Sequence, residues 1–292
     1  MYVRNGGFRI DAQFTLTYEK SLHKICTSVL EIDRYKNPMD KTLKNLKQMI
    51  DFRKASIMVN KNTLLHTKIA SYIGRTLRDH FGKGPESVYV SLGHSIITIY
   101  LKNFMTPMER ILLDQQQETT VLEMRSILME NLIPEIRAHI KVSTSMDIKE
   151  FYYDWNLENR TGMLVGIFKE HEVQSNEAYS KKELLHQKIM EFTHKVHRRP
   201  QEIESFLINS RTLIIIKKGV LIELERELIK MGFKKVLLNA KKKITKNVHD
   251  RSVTFFENLL EREISEIFID WNFEEDKDIA VLILKPKLID TQ

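Results

Sequence analysis

Two stretches of this chain are versions of one another, and that limits the fold more than any other feature. Residues 152–169 read YYDWNLENRTGMLVGIFK and residues 268–285 read FIDWNFEEDKDIAVLILK, aligned without a gap. Each carries Asp-Trp-Asn, an apolar residue and Glu: Asp154-Trp155-Asn156-Leu157-Glu158 and Asp270-Trp271-Asn272-Phe273-Glu274. Both Trp residues of the chain lie inside them. Upstream, Leu64-Leu65-His66-Thr67-Lys68-Ile69 is echoed by Leu184-Leu185-His186-Gln187-Lys188-Ile189. The period therefore lies between 116 (268 less 152) and 120 (184 less 64) residues. A period of that length means a duplicated domain, because solenoid units repeat every ~20–50 residues.

A chain of 292 residues has room for about two domains. The duplication makes these an N-terminal extension over 1–59, repeat 1 over 60–170, a polar linker over 171–180 and repeat 2 over 181–292. With 42% apolar and 29% charged residues the composition is that of a globular protein, so each copy can bury an ordinary core. The single cysteine, Cys26, excludes an internal disulfide and agrees with a reducing compartment. The opening MYVRNGGFRIDAQF holds no signal-peptide apolar segment. The longest apolar run, Leu213-Ile214-Ile215-Ile216, is far short of the roughly 20 residues a membrane span needs. A soluble, cytosolic protein is expected, peripheral to the membrane at most.

Local signals order the elements. Leu22, Ile25, Val29 and Leu30 have helical spacing, Asn37-Pro38 breaks the pattern, 39–51 reads as a short helix and Phe52–Val59 as a strand. This extension loosely resembles the opening of a GAF-type sensor domain and is read as a cap on repeat 1. In repeat 1, Asn62 or Thr63 can cap a helix whose apolar face is Leu65, Ile69, Tyr72, Ile73 and Leu77, stopped by Gly82-Lys83-Gly84-Pro85. Val/Ile/Tyr-rich segments 87–92 and 95–102 flank Gly93-His94 as a β-hairpin. Thr106-Pro107 opens a long helix to about Ile140, kinked or broken at Pro134, and strands at 152–155 and 163–168 close the copy. Repeat 2 retraces this with helix 182–196, strands 203–208 and 211–217, one long helix 221–262, and strands 265–271 and 278–285. The fold class is α+β, with two tandem α-β-β-α-β-β repeats of helices against an antiparallel sheet. The two long helices are expected to cover the sheets and pack across the copies.

The motifs carry little catalytic chemistry. Four carboxylates in two related turns could hold a hard cation or act as acid and base. The simpler reading has Trp155 and Trp271 buried on the helix layer, with Asp154, Asn156, Asp270 and Asn272 bonding the turn backbone. Gly82, Lys83 and Gly84 invite a phosphate-loop reading, but the spacing is not that of a P-loop and the segment follows a helix, at the wrong end of its dipole. Repeat 2 has Arg198-Arg199-Pro200 there. Gly82, Lys83, Gly84, Arg198 and Arg199 are the candidate anion ligands. His186, His194 and His197 share a helix face but lack the cysteines or acids of a closed metal site, so no metal and no cofactor are expected. His66 and His186 read as helix-packing residues. The net charge of +7 gathers in repeat 2 at Lys181-Lys182, His197-Arg198-Arg199, Lys217-Lys218, Lys234-Lys235 and Lys241-Lys242-Lys243. Such runs can meet phosphate backbones, anionic membranes or acidic proteins, but no aromatic residues alternate with them as a single-strand platform would need.

A helix ending in Phe81-Gly82-Lys83-Gly84-Pro85, a hairpin, and then Met105-Thr106-Pro107-Met108-Glu109-Arg110 on a long helix together resemble the MpsC-like (YbcI-like) bacterial family, over about residues 60–286. The family pattern is a Gly-[Arg/Lys]-Gly-Pro stop, a hairpin, a Leu-Thr-x-x-Glu helix start and a closing strand pair. Repeat 2 departs from it at Arg198-Arg199-Pro200 and at Leu221-Ile222-Glu223-Leu224-Glu225, which keeps the acid but not the Thr. The resemblance implies a small soluble protein of a family some of whose members are associated with membrane systems for sodium or inorganic-carbon uptake, and it brings no catalytic residues with it. The expectation is a non-enzymatic scaffold or regulator whose partner is a second copy or a membrane-associated or signalling protein. The alternatives are a nucleic-acid or anionic-nucleotide binding module on the basic surface of repeat 2, and an anion-responsive sensor at Gly82–Pro85.

Overall fold

The computed structural model of the protein describes residues 38–169, 179, 181–193 and 198–286. The N-terminal helix over 15–31, Cys26, most of the linker, His194 and His197 lie outside them. The chain divides into two compact units, 1–65 and 66–292, and the second holds repeat 2 and all but the first few residues of repeat 1.

The first hairpin shows how local chemistry sets the elements. Strands β1 (Ser87–Gly93) and β2 (Ile96–Lys102) are joined by His94 and Ser95, with φ of 51° and 57°. Two left-handed residues make the hairpin turn whose twist matches that of the strands. Thr106 then starts helix α2 (Pro107–Asp114): its Oγ1 accepts the Glu109 N–H at 3.2 Å, and a Glu109 oxygen accepts the Thr106 N–H at 2.8 Å. Helix α1 (Pro38–Phe81) precedes the hairpin, and α3 (Glu118–Thr144), β3 (Ile148–Asn156) and β4 (Thr161–Phe168) complete repeat 1. Repeat 2 runs α4 (Lys182–Thr193), β5 (Glu202–Asn209), β6 (Thr212–Lys218), α5 (Glu223–Lys230), α6 (Lys234–Leu260), β7 (Ile264–Asn272) and β8 (Lys277–Leu284). From β2 and β6 onward, matching elements start 116 residues apart.

The order α-β-β-α-β-β is as read from sequence, with three corrections. Phe52–Val59 is helical, not a strand, and Asn62 and Thr63 lie within α1 instead of capping it. Each long helix is two. The break in repeat 1 falls at Gln115–Gln117, where Gln116 takes φ 59°, and in repeat 2 at Gly232, φ 88°. Pro134 sits inside α3 without ending it. Third, the copies meet chiefly through their sheets, not their helices.

Each sheet is antiparallel with four strands, ordered β1-β2-β4-β3 and β5-β6-β8-β7. The inner faces pack on each other: Ile96, Tyr152, Met163, Val165 and Ile167 of the first share one core with Phe206, Ile214, Ile216, Phe268, Ile279, Val281 and Ile283 of the second. Edge strand β3 lies along β7, and β1 along β5, where Asn209 Nδ2 donates to Ser91 Oγ at 2.8 Å. The outer face of the second sheet (Leu213, Ile215, Ile269, Leu282) is covered by Leu185 and Ile189 of α4 and Phe256 and Leu259 of α6. In repeat 1, Ile69, Ile73 and Leu77 of α1 and Val121, Met129, Leu132, Ile136 and Ile140 of α3 are buried, with α3 against β3. Alternation along a strand sends successive side chains to opposite faces, so both faces of the central strands must be apolar. β4 is buried throughout.

Candidate functional site

The duplicated motif builds two separate constructions. The first lies beneath each tryptophan. The Glu109 carboxylate that closes the capping box also holds Arg125 of α3, with Nε to Oε1 at 2.7 Å and Nη2 to Oε2 at 3.0 Å. Nη2 also donates to the Phe104 carbonyl at 3.0 Å, and the guanidinium lies 4.6 Å from the Trp155 ring centre and 4.8 Å from that of Phe104. Both charged side chains are fully buried. Burial works to raise Glu109, but Arg125 more than offsets it and holds the carboxyl below the usual range. The equivalent residues of repeat 2 are Glu225 and Lys241, 2.5 Å apart, with Lys241 Nζ 3.9 Å from the Trp271 ring centre. Burial pulls the Lys241 ammonium below the usual lysine range against the raising effect of Glu225.

The change from Arg to Lys is matched by its surroundings. In repeat 1 Trp155 faces Gly162 across the strands, and a Cβ there would come within 2.4 Å of the indole. In repeat 2 Trp271 faces Asp278, which pairs at 3.1 Å with Lys217, both buried. Repeat 1 has Leu101 where repeat 2 has Lys217. Burial pushes the Asp278 carboxyl above the usual range, against the pull of Lys217.

The second construction is the seam where β3 meets β7. Asp270 Oδ2 accepts the Tyr153 N–H at 2.8 Å, and Asp154 Oδ2 accepts the Ile269 N–H at 2.9 Å. Tyr153 and Ile269 are themselves 116 residues apart, so the two bonds are one interaction written twice around a pseudo-twofold axis. Lys242 of α6 lies 3.0 Å from Asp270 and 3.4 Å from Asp154, and Lys246 lies 3.0 Å from Asp154. The same lysines donate to the Tyr153 and Trp155 carbonyls at 3.0 and 3.2 Å. Burial opposes the charge on Lys242, yet the Asp270 and Asp154 carboxylates outweigh it and hold the ammonium above the usual lysine range.

A second reciprocal pair lies further along the same strands. Glu150 takes Lys277 of repeat 2 at 2.8 Å. Its counterpart Glu266 takes Thr161 of repeat 1 at 2.8 Å, together with Asn159 and Tyr100, each at 2.7 Å. Glu150 and Glu266 both stand at register shifts of their strands. A bulge re-aims a side chain, and here it turns each acid toward the other copy.

The sequence-derived sites therefore divide. Trp155 and Trp271 are buried as expected, and Asn156 and Asn272 bond their turns: Asn156 Oδ1 accepts the Asn159 N–H at 3.0 Å, and Asn272 Oδ1 those of Glu274 and Glu275 at 3.1 and 3.2 Å. Asp154 and Asp270 do not bond their turns; they reach across to the other repeat. Gly82 ends α1 with φ 74°, and Gly84 packs so closely on it that a Cβ would lie 2.8 Å from the Gly74 carbonyl. Close helix packing is thus what the second glycine of the stop requires. Arg199 Nη2 reaches Met190 Sδ at 3.7 Å, and among the described residues no hydrogen bond or ion pair joins Arg198 or Arg199 to Gly82, Lys83 or Gly84. His186 Nε2 lies 2.6 Å from Ser205 Oγ, and burial holds its pKa below the usual value. Among the described residues no three His, Cys, Asp or Glu side chains come together as a metal site.

The lysine runs of repeat 2 also change meaning. Lys217 and Lys241 are 4% and 2% exposed, so these two are interior groups and not part of a basic surface. Of the rest, Lys181 pairs with Glu261, Lys218 with Glu202, Lys234 with Glu274 and Lys235 with Glu130. Arg125, Lys241, Lys242 and Lys246 sit inside helices; local reading passes over Arg125 and Lys246 and takes Lys241 and Lys242 for part of a basic run. A scan for oppositely charged partners recurring at the same 116-residue offset finds the first two: Glu109 with Arg125, and Glu225 with Lys241.

Fold and site together define a tandem α+β protein whose two copies are closed against each other by reciprocal acid contacts. The family model described as "Na+-translocating membrane potential-generating system (MpsC)" matches residues 61–170 and again 179–286. The chain belongs to the MpsC family, twice over. No curated protein and no solved structure matched it. No helix among the described residues is long and apolar enough to cross a membrane.

Proposed function

We propose that the protein is a non-enzymatic scaffold or regulator, cytosolic and peripheral to the membrane, accessory to a membrane ion or inorganic-carbon transport system. The family description supports the transport setting. The observation that carries the non-catalytic reading is the occupation of the duplicated carboxylates. Asp154 and Asp270 are each held by a backbone amide of the opposite repeat and by Lys242. A catalytic carboxylate needs access to a substrate proton, and these two serve a protein-internal joint instead. Cross-linked affinity capture from native cells, read by quantitative mass spectrometry, tests the reading. Enrichment of a membrane transport subunit supports it. Substrate turnover by the purified protein that disappears in Asp154→Ala and Asp270→Ala counts against it.

The net charge of +7 favours a second reading, binding of a nucleic acid or an anionic nucleotide. The acid partners of most of the lysine runs weaken it, because a cation already paired releases few counterions on binding. A mobility-shift titration at low salt separates the two, since a complex formed there supports the second reading.

A further inference from the structure

We propose that the β3–β7 seam is a pairing code, joining repeat 1 to repeat 2 and rejecting either repeat with its like. The chain is then a fused heterodimer, and the partner its interface fits is the complementary repeat of its own chain.

Pseudo-symmetry carries this inference. In α3 and α6 the positions equivalent to Lys242 and Lys246 are Ser126 and Glu130. The observed pairing places Asp154 and Asp270 against Lys242 and Lys246, and Glu130 against Lys235 at 3.2 Å. Two copies of repeat 1 arranged the same way would bring two Asp154 and two Glu130 together with no lysine at any of these positions. Two copies of repeat 2 would set two Lys242 and two Lys246 against a single pair of Asp270, with Lys235 facing Lys246. Like charges set against each other select against wrong partners, and they do so most strongly where burial limits screening. Lys242 is mostly buried, with 17% of its side chain exposed, so the seam lies in that regime. The reciprocal amide bonds of Asp154 and Asp270 use a residue shared by both copies and would form in any pairing. Shape and backbone bonding therefore permit all three pairs, and the lysines choose one.

The test uses the full chain with a protease site placed between residues 171 and 178. After folding and cutting, native mass spectrometry and gel filtration should show the two pieces travelling as one unlike pair, with no like pairs. Separation of the pieces at micromolar concentration, or the appearance of like pairs, overturns the proposal. Lys242→Ser with Lys246→Glu gives repeat 2 the seam of repeat 1, and should weaken the cut complex roughly tenfold or more, most at low salt. Adding Ser126→Lys, Glu130→Lys and Lys235→Thr to that chain moves both lysines to the other side of the axis, removes the Lys235 cation that would otherwise face the Glu130→Lys side chain, and should restore pairing. If the first variant fails to fold uncut, the five-substitution chain carries the test. Restored folding and pairing support the code, and failure of the five-substitution chain to pair overturns it.

Discussion

A guanidinium enclosed by one carboxylate and two aromatic rings has no water to replace a lost partner. Arg125 and Glu109 are both fully buried, so removing either leaves an uncompensated charge. Arg125→Ala is expected to cost about 3–5 kcal/mol in urea denaturation, and Arg125→Lys less, since repeat 2 already uses a lysine there. The pair also sets a pH dependence. Glu109 has a folded pKa below its ordinary 4.5, so its contribution is complete above that value and is lost as pH falls through the lowered folded pKa. The melting temperature of the native chain should therefore fall more steeply in acid than that of Glu109→Gln. Gly162 is the other residue-scale constraint: a Cβ at 2.4 Å from Trp155 should make Gly162→Ala destabilising by about 1–3 kcal/mol. Asp278 occupies the equivalent place in repeat 2, opposite Trp271 and paired with Lys217.

Between the short and long helices the two repeats solve one problem with unequal chemistry. Thr106 supplies a full capping box to α2, whereas Ile222 gives α5 only its N–H, donated to Glu225 at 3.1 Å. Thr106→Ala should lower stability by about 1 kcal/mol, and Ile222→Thr should raise it by a few tenths up to that amount, both read from thermal melts. The Thr-Pro start, the glycine stop and the hairpins were legible in sequence because capping and turn chemistry is local. The breaks at Gln115–Gln117 and Gly232 were not: a run of glutamines carries no stop signal, and the lone Gly232 is masked by apolar spacing that continues on both sides of it. Phe52–Val59 shows the same limit: a short apolar run does not reveal its period, and continuity with the helix on both sides decided it.

Across the whole molecule, the inner faces of the sheets share one core, so neither repeat can unfold without exposing the other. Residues 66–286 should melt in a single cooperative transition by calorimetry and by circular dichroism, and two separated transitions would contradict the shared core. Asp154→Ala and Asp270→Ala should each cost about 3 kcal/mol. The double variant should cost less than the sum, because both acids hold the same Lys242.

By itself the sequence determined the duplication, the fold class, the order of elements and the burial of both tryptophans. Each of these rests on interactions between residues close in the chain, or on a pattern repeated intact. The destinations of Asp154 and Asp270 were decided only when the two sheets closed on each other, and the burial of Lys217 and Lys241 only when the helices of repeat 2 covered the outer face of its sheet. An aspartate beside an asparagine at a strand end reads as a turn former whatever lies beyond it, and a lysine run reads as solvated. What made the acids a joint and the lysines their partners was a second copy of the same edge, 116 residues away, folded back about a pseudo-twofold axis.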